Sequence, residues 1–185
     1  MIKEILSKTR RSMEKALEAS QHELTSIRTG RASVSLLDTI KVEYYGSSVP
    51  LNQVANLGVP EPRLVTVQPW DRNMIPVIEK QIRASDLGLN PINDGVVIRL
   101  PIPQPNEERR RDLVRLVRKL GEEARVAVRN IRRDANEHVK KAEKKGEISE
   151  DDSRNALVQI QEVTDEYIKL VDEMLKNKEA EIMEV

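Results

Sequence analysis

Apolar positions recur at helical spacing in two long flanks of this chain and alternate, strand-like, in the stretch between them. From Ile2 to Arg28 the positions Leu6, Thr9, Met13, Ala16, Ser20 and Ile27 fall at spacings of 3, 4, 3, 4 and 7, with Leu17 and Leu24 widening the stripe. This pattern predicts a helix that buries one face, stopping at Gly30. A second helix is predicted after Asn106, a good capping residue, with Glu107 and Glu108 at the positive end of its dipole. Leu113, Val117, Leu120, Ala124, Ala127 and Ile131 then recur at spacings of 4, 3, 4, 3 and 4, a heptad-like seam. Gly121 interrupts that helix at a cost of about 1 kcal/mol, and Gly146 ends it. A third helix opens at Ser149, with Glu150, Asp151 and Asp152 in its first turn. Leu157, Ile160, Thr164, Tyr167, Val171 and Met174 follow at spacings of 3, 4, 3, 4 and 3. The short loop at Gly146, Glu147 and Ile148 makes the second and third helices antiparallel neighbours. At nearly 40 residues each they would extend roughly 55–60 Å. Core packing is the ordinary role of these seam residues, and three single-sided stripes predict an elongated three-helix bundle.

The middle has a different grammar. All nine prolines lie between Pro50 and Pro105, and proline breaks helix interiors. Ile40, Val42 and Tyr44 alternate with Lys41, Glu43 and Tyr45 before Gly46 turns the chain. Leu64–Val67 and Val96–Ile102 are further strand candidates. Met74, Val77, Ile78 and Ile82 predict a helix ending in the run Asp86, Leu87, Gly88, Leu89, Asn90, Pro91. The fold class is therefore α+β in two domains. Residues 1–30 and 105–185 form the discontinuous three-helix bundle, and 31–104 form a small inserted β/α/β domain. The chain crosses twice, at Gly30 and Arg31 and at Gln104 and Pro105, a pair of short linkers that permits hinge motion but restricts its direction.

Charge adds what the apolar pattern lacks. Lys and Arg number 31, as do Asp and Glu, so the formal net charge is zero, which argues against a nucleic-acid partner only if the charge is evenly spread. It is not: residues 1–30 carry net +2, 31–106 net 0, 107–146 net +6 and 147–185 net −8. In the second helix Arg111, Arg115, Arg118, Arg125, Arg129 and Arg132 form a stripe, with Glu122 in its gap and Arg133 beside its lower end. A displacement of two residues puts this stripe about 200° from the apolar seam, facing solvent. A solvated face with Arg paired to Glu at i+3 or i+4 is the ordinary reading of such a row. Here fourteen basic residues meet only eight acids between 107 and 146. Moreover, Lys119 is the only lysine from 109 to 133. Arginine presents a planar fork that matches phosphate oxygens bidentately. The stripe thus suits the backbone of a structured RNA, read by phosphate and shape. The acidic third helix offsets the self-repulsion or repels nucleic acid on its side, and either polarises the surface.

Other chemistries find little support. The chain has no cysteine and two histidines, His22 and His138. Disulfides, thiol nucleophiles and multi-His metal sites are therefore excluded, and the lack of cysteine fits a cytosolic compartment. The charged N-terminus has no apolar signal region, and no apolar run approaches a membrane span. Asp71, Asp86 and Asp94 match no calcium loop and suit turns and caps. Tyr44 and Tyr45 could stack bases, although a strand with one Tyr buried is the simpler reading. No metal, cofactor or catalytic group is expected.

Several runs in register resemble the bacterial ribosome recycling factor family. They are Arg28-Thr29-Gly30-Arg31-Ala32-Ser33, Val42-Glu43-Tyr44-Tyr45-Gly46, Ala84 through Pro91, Arg125 through Arg133, and Ile148-Ser149-Glu150-Asp151-Asp152, and the resemblance covers essentially the whole chain, in order and at the expected length. The resemblance implies a three-helix bundle with an inserted β/α/β domain, shaped like a transfer RNA. It also implies a non-enzymatic factor that, with elongation factor G and GTP, splits the post-termination ribosome. The bundle would dock on large-subunit ribosomal RNA and the inserted domain would meet elongation factor G, with the protein a cytoplasmic monomer. By motif match the RNA-contacting role falls to Arg132, with Arg129 and Arg133 beside it, and to Arg28 and Arg31; Arg125 joins them as a member of the stripe. Asn106 stands where the family often has Thr, Leu64 follows Arg63 where Thr is common, and the chain has no Phe. Two other classes stay in view. An adaptor would use the Arg face on acidic proteins, and an enzyme would need a catalytic site for which the sequence offers no candidate.

Overall fold

The structure is a computed structural model that describes residues 1–184. Chain contacts divide it into two units, one of Met1–Thr29 with Glu107–Glu184, the other of Gly30–Asn106.

The first unit holds three helices, α1 (Ile2–Thr25), α3 (Glu107–Lys144) and α4 (Glu150–Met183). Helix α1 ends three residues short of Arg28. The hydroxyls of Thr25 and Ser26 donate back to the carbonyls of Gln21 and Glu23, local bonds that compete with helix continuation. The end of α3 is a glycine-dependent stop. Gly146 has φ +71°, its N–H donates to the Glu143 carbonyl, and the Glu147 N–H donates to the Ala142 carbonyl. This pair of hydrogen bonds around a left-handed glycine satisfies carbonyls that the helix leaves open. Ser149 then caps α4, its Oγ accepting from the Asp152 N–H at 3.0 Å, and Ser153 Oγ donates to Glu143 across the turn at 2.8 Å.

The bundle core has three layers. Leu24, Leu113, Val117, Ala124, Val171, Leu175 and Ile182 make the first; Met13, Val128, Val163 and Tyr167 the second; Ala135, Val139, Ala156 and Ile160 the third. The buried line on α3 runs through Leu113, Val117, Gly121, Ala124 and Val128. Leu120, Ala127 and Ile131, expected in the seam, are only half-buried. A helix of 3.6 residues per turn drifts against a 3.5-residue repeat, so the contact line moves onto Gly121 and Val128. Gly121 is then the point where α4 comes closest. A Cβ there would overlap three atoms of Leu175, its Cγ at 2.9 Å. In α4 the same drift buries Leu175 and leaves Met174 half-buried. Tyr167 is buried among these residues, and its hydroxyl donates to Glu14 at 2.8 Å.

The second unit contains more strands than the pattern predicts. Strands β1 (Lys41–Tyr44) and β2 (Ser47–Pro50) form a hairpin. Strands β3 (Ala55–Glu61), β4 (Leu64–Pro69), β5 (Ile92–Asn93) and β6 (Ile98–Pro101) form an antiparallel sheet of order β3-β4-β6-β5. Helix α2 (Ile75–Ala84) buries Ile75, Ile78 and Ile82 in one core with Val65, Val67, Ile98 and Leu100. Strand β3 escapes the sequence pattern because it carries Gly58 and Pro60. It is an edge strand, where a missing N–H is tolerated. The β1–β2 loop is Tyr45-Gly46, both with positive φ, +48° and +81°. Such a two-residue loop favours Asn or Gly at its first position, yet Tyr45 stands there, 86% exposed. Asp94 organises the turn before β6: its carboxylate accepts from the N–H groups of Val96 and Val97 at 3.0 and 2.8 Å and from Arg99 at 2.9 Å. Among the described residues no helix is long and apolar enough to cross a membrane.

Two consequences are measurable. Gly121→Ala gains about 1 kcal/mol of helix propensity but overpacks against Leu175, which costs roughly 1–3 kcal/mol. The variant should therefore unfold at lower urea concentration than wild type, and a higher midpoint would contradict the close packing. The backbone N–H groups of Val97 and Val96, with Arg99, hold the Asp94 carboxyl well below the usual carboxylate range. Its contribution is thus present at neutral pH and fades as the pH falls below about 4. Asp94→Asn should lower thermal stability at pH 7, and the gap to wild type should narrow on acidification.

Candidate nucleic-acid interface

The arginine row of α3 does not lie opposite the core. With Val128 at the centre of the buried line, Arg125 lies about 60° and Arg132 about 40° around the helix. The expected 200° displacement refers to a seam through Leu120 and Ala127, and the real contact line is rotated from it. The row therefore borders α4, and its members take two different roles.

Arg118, Arg125 and Arg132, spaced seven apart, form an inner row along the α3–α4 groove. Arg118 Nε donates to Glu179 at 3.0 Å. Arg125 donates to Asp172 through Nε at 2.9 Å and through its terminal nitrogen at 2.6 Å. Glu122 takes a further bond from Arg125 at 3.3 Å. These hydrogen bonds to Asp172, and that carboxylate's charge, raise the Arg125 guanidinium further above its ordinary value. Arg132, half-buried, has no carboxylate partner among the described residues. Its one bond is a long 3.5 Å contact to the Gln161 side-chain carbonyl.

The outer row is more open. Arg129, Arg133 and Lys140 are exposed, and with Arg132 and Asn136 they share one face at spacings of three and four. Arg129 touches Glu122 at 3.4 Å, whereas Arg133 and Lys140 form no ion pair among the described residues. Of the acids of this stretch, Asp134 lies elsewhere around the helix, and Glu137, four residues from Arg133 and three from Lys140, borders the face without an ion pair to either among the described residues. Arg111 and Arg115, nearer the start of α3, pair with Glu107 and Asp112 on their own helix. The face at 129–140 is therefore the least neutralised part of the stripe.

Arg28 does not join this face. It is exposed just beyond α1, next to Thr29, whose hydroxyl donates to Glu181 at 3.2 Å. Glu181 is twenty residues along α4 from Gln161, about 30 Å of helix. Arg31 belongs to the second unit and is engaged rather than free. His22 and His138 are both exposed. His138 lines a groove of about 590 Å³ between α1 and α3 with Asp134 and Lys141. No cluster able to hold a metal ion occurs among the described residues. Tyr44 is half-buried and meets the exposed Tyr45 edge to face at 4.5 Å, and Trp70 is also exposed. Gln161, Asn136 and Lys140 have no place in the sequence argument. Lys140 shared the spacing of the stripe, but Gln161 becomes visible only when α4 is set against α3.

The model of the ribosome recycling factor family matches residues 20–183. The chain belongs to the ribosome recycling factor family. It is 56% identical over 180 residues to the ribosome-recycling factor of Rubrobacter xylanophilus, covering 97% of each. It is 55% identical to that of Symbiobacterium thermophilum and 53% to that of Bacillus pumilus, both over 185 residues and the full length of each. A solution structure of the ribosome recycling factor is similar over 100% of this chain and 98% of that one, with a TM-score of 0.73 and 46% identity. Models of the T. thermophilus ribosome recycling factor and E. coli elongation factor G bound to the E. coli post-termination complex contain a second match. It has a TM-score of 0.65 and 50% identity and covers all of both chains. Ribosome recycling factors are non-enzymatic translation factors.

The two rows of this family member should separate on stability. Arg125→Ala removes paired contacts to Asp172 and should lower the unfolding free energy by about 0.5–1 kcal/mol, as for a well-formed surface pair. Arg132→Ala should lower it by less than about 0.3 kcal/mol. Urea melts of both variants check the contrast, and equal losses would mean that Arg132 is as firmly held as Arg125.

Proposed function

We propose that the protein binds the post-termination ribosome through large-subunit ribosomal RNA and, with elongation factor G and GTP, promotes separation of the subunits for reuse. Family membership supports the recycling role, as does the likeness to a factor placed with elongation factor G on a post-termination complex. The observation that carries the RNA reading is the face of Arg129, Arg132, Arg133 and Lys140. It is a run of cations along a rigid helix with little acid to neutralise it. Neutralised phosphates release counterions, so such a face gains most of its affinity from the backbone of the RNA. Arg125 adds to the field, though Asp172 already holds it. Arg28 supplies a second, separate contact near the other end of α4, and Arg31 would contribute only on exchanging its present engagement.

The work of separation is assigned to the GTPase partner, which meets the inserted domain. Gly30 and Arg31, with Gln104 and Pro105, would act as the hinge. Gly30 supports this role: its φ is +82°, and a Cβ there would lie 2.6 Å from Pro105 Cδ, so the two crossing strands touch. The protein acts in the cytoplasm as a monomer, a reading supported by helix stripes that close on one another within one chain.

Arg132→Ala should weaken binding to purified large subunits about tenfold and leave the circular dichroism spectrum unchanged, as loss of a phosphate contact does. Binding of the wild type should fall linearly in log affinity against log salt, and the variant's slope should be smaller by about one. Wild-type affinity at physiological salt would overturn the assignment of Arg132. Splitting of post-termination ribosomes, with and without elongation factor G and GTP, tests the recycling activity itself.

A further inference from the structure

The inner arginine row has a gap in its pairing that the register does not explain. The antiparallel helices match Arg118 to Glu179 and Arg125 to Asp172. Seven residues forward on α3 is Arg132, and seven back on α4 is Asp165. A third ion pair is due there, and it does not form. Instead Gln161 Nε2 donates to Asp165 Oδ1 at 2.8 Å, and the Gln161 carbonyl oxygen faces Arg132 at 3.5 Å. The orientation of the amide is dictated by its neighbours. A guanidinium only donates and a carboxylate only accepts, so the amide must turn its nitrogen to Asp165 and its oxygen to Arg132.

From this chain of contacts we infer that Gln161 is a positioning residue that keeps Arg132 out of an ion pair with Asp165 and so leaves its guanidinium open to an RNA phosphate. The inference rests on the RNA-binding reading of Arg132 given above. The amide occupies Asp165 with a short hydrogen bond and offers Arg132 only a neutral, long one. A guanidinium already clamped by a carboxylate, as Arg125 is by Asp172, must break that pair before it can take a phosphate bidentately. Arg132 has no such pair to break. Its half-burial still limits where the head group can point, so it is positioned without being neutralised. Gln161 and Asp165 are both exposed, so changing them leaves the core intact.

The test measures affinity for purified large ribosomal subunits at one fixed salt concentration for Q161A, D165N, the double variant Q161A/D165N, and R132A. With Gln161 removed, Asp165 is free to capture Arg132, and affinity should fall about three- to fivefold, the range of an exposed ion pair. Asp165→Asn alone should bind as tightly as wild type or slightly more so. The double variant should recover wild-type affinity, a rescue that a merely structural role for Gln161 would not give. Wild-type affinity for Q161A beside a weakened R132A overturns the spacer and spares the RNA reading, as does a double variant no better than Q161A. An R132A protein that binds like wild type overturns both.

Discussion

The turn between α3 and α4 sets the register on which the rest of the bundle depends. Gly146, in the left-handed conformation, closes α3 with two backbone hydrogen bonds, and Ser149 opens α4 by capping Asp152. The loop between is too short to slip. Once it is fixed, every seven-residue step forward on α3 meets a seven-residue step back on α4, which places Glu179 at Arg118 and Asp172 at Arg125. The same register drops Leu175 onto Gly121. One residue more in the loop would rotate α4 by about 100° relative to α3. The acidic row would then leave the groove and Leu175 would meet a side chain. Core packing and charge pairing therefore agree on a single alignment, the kind of consistency across levels that specifies one structure.

Most of the bundle was legible in the sequence because its information is periodic. Three apolar stripes, a glycine stop and a capping serine are local signals, and each corresponds to an element in the structure. The exact line of contact was not legible. A seam through Leu120, Ala127 and Ile131 and one through Gly121 and Val128 differ by a single residue, and only the approach of Leu175 decides between them. That one-residue rotation is also why the arginine stripe, predicted to face away from the core, borders α4. In the inserted domain the strands β2, β3 and β5 escape the sequence pattern for a different reason. Gly58, Pro60 and Pro50 suppress the alternation that marks a strand, and two residues at Ile92 and Asn93 are too few to show one. Arg129, Arg132 and Arg133 were legible as an arginine-rich run, and the family resemblance pointed to them. Gln161 was not, since an exposed glutamine carries no signal until its partner on another helix is known.

The zero net charge changes meaning once the pairs are placed. The acid-rich segment at 147–185, net −8, is neither a counterweight at a distance nor only a repulsive face. Glu179 and Asp172 are partners of the inner arginines, so part of the acidity of α4 is spent within the bundle. Exposed pairs of this kind contribute little stability each. Their larger effect is to decide which cations remain available: a paired arginine presents a near-neutral surface, while an unpaired one presents a full charge. Counting basic residues thus overstates the open charge at Arg118 and Arg125 and describes it fairly at Arg133 and Lys140.

Under the proposed function α3 both packs in a bundle and binds a polyanion, which places opposing demands on its arginines. Packing beside an acidic helix favours pairing, and binding phosphate favours leaving the charge open. Arg133 and Lys140 meet the second demand by standing away from α4. Arg132 cannot, because at about 40° from the core line it lies within reach of the acidic row. An amide at position 161 reconciles the two demands at that one site. It satisfies Asp165 and gives the guanidinium a weak neighbour without cancelling its charge. A carboxylate in that place would hold Arg132 more firmly and would remove it from the proposed interface.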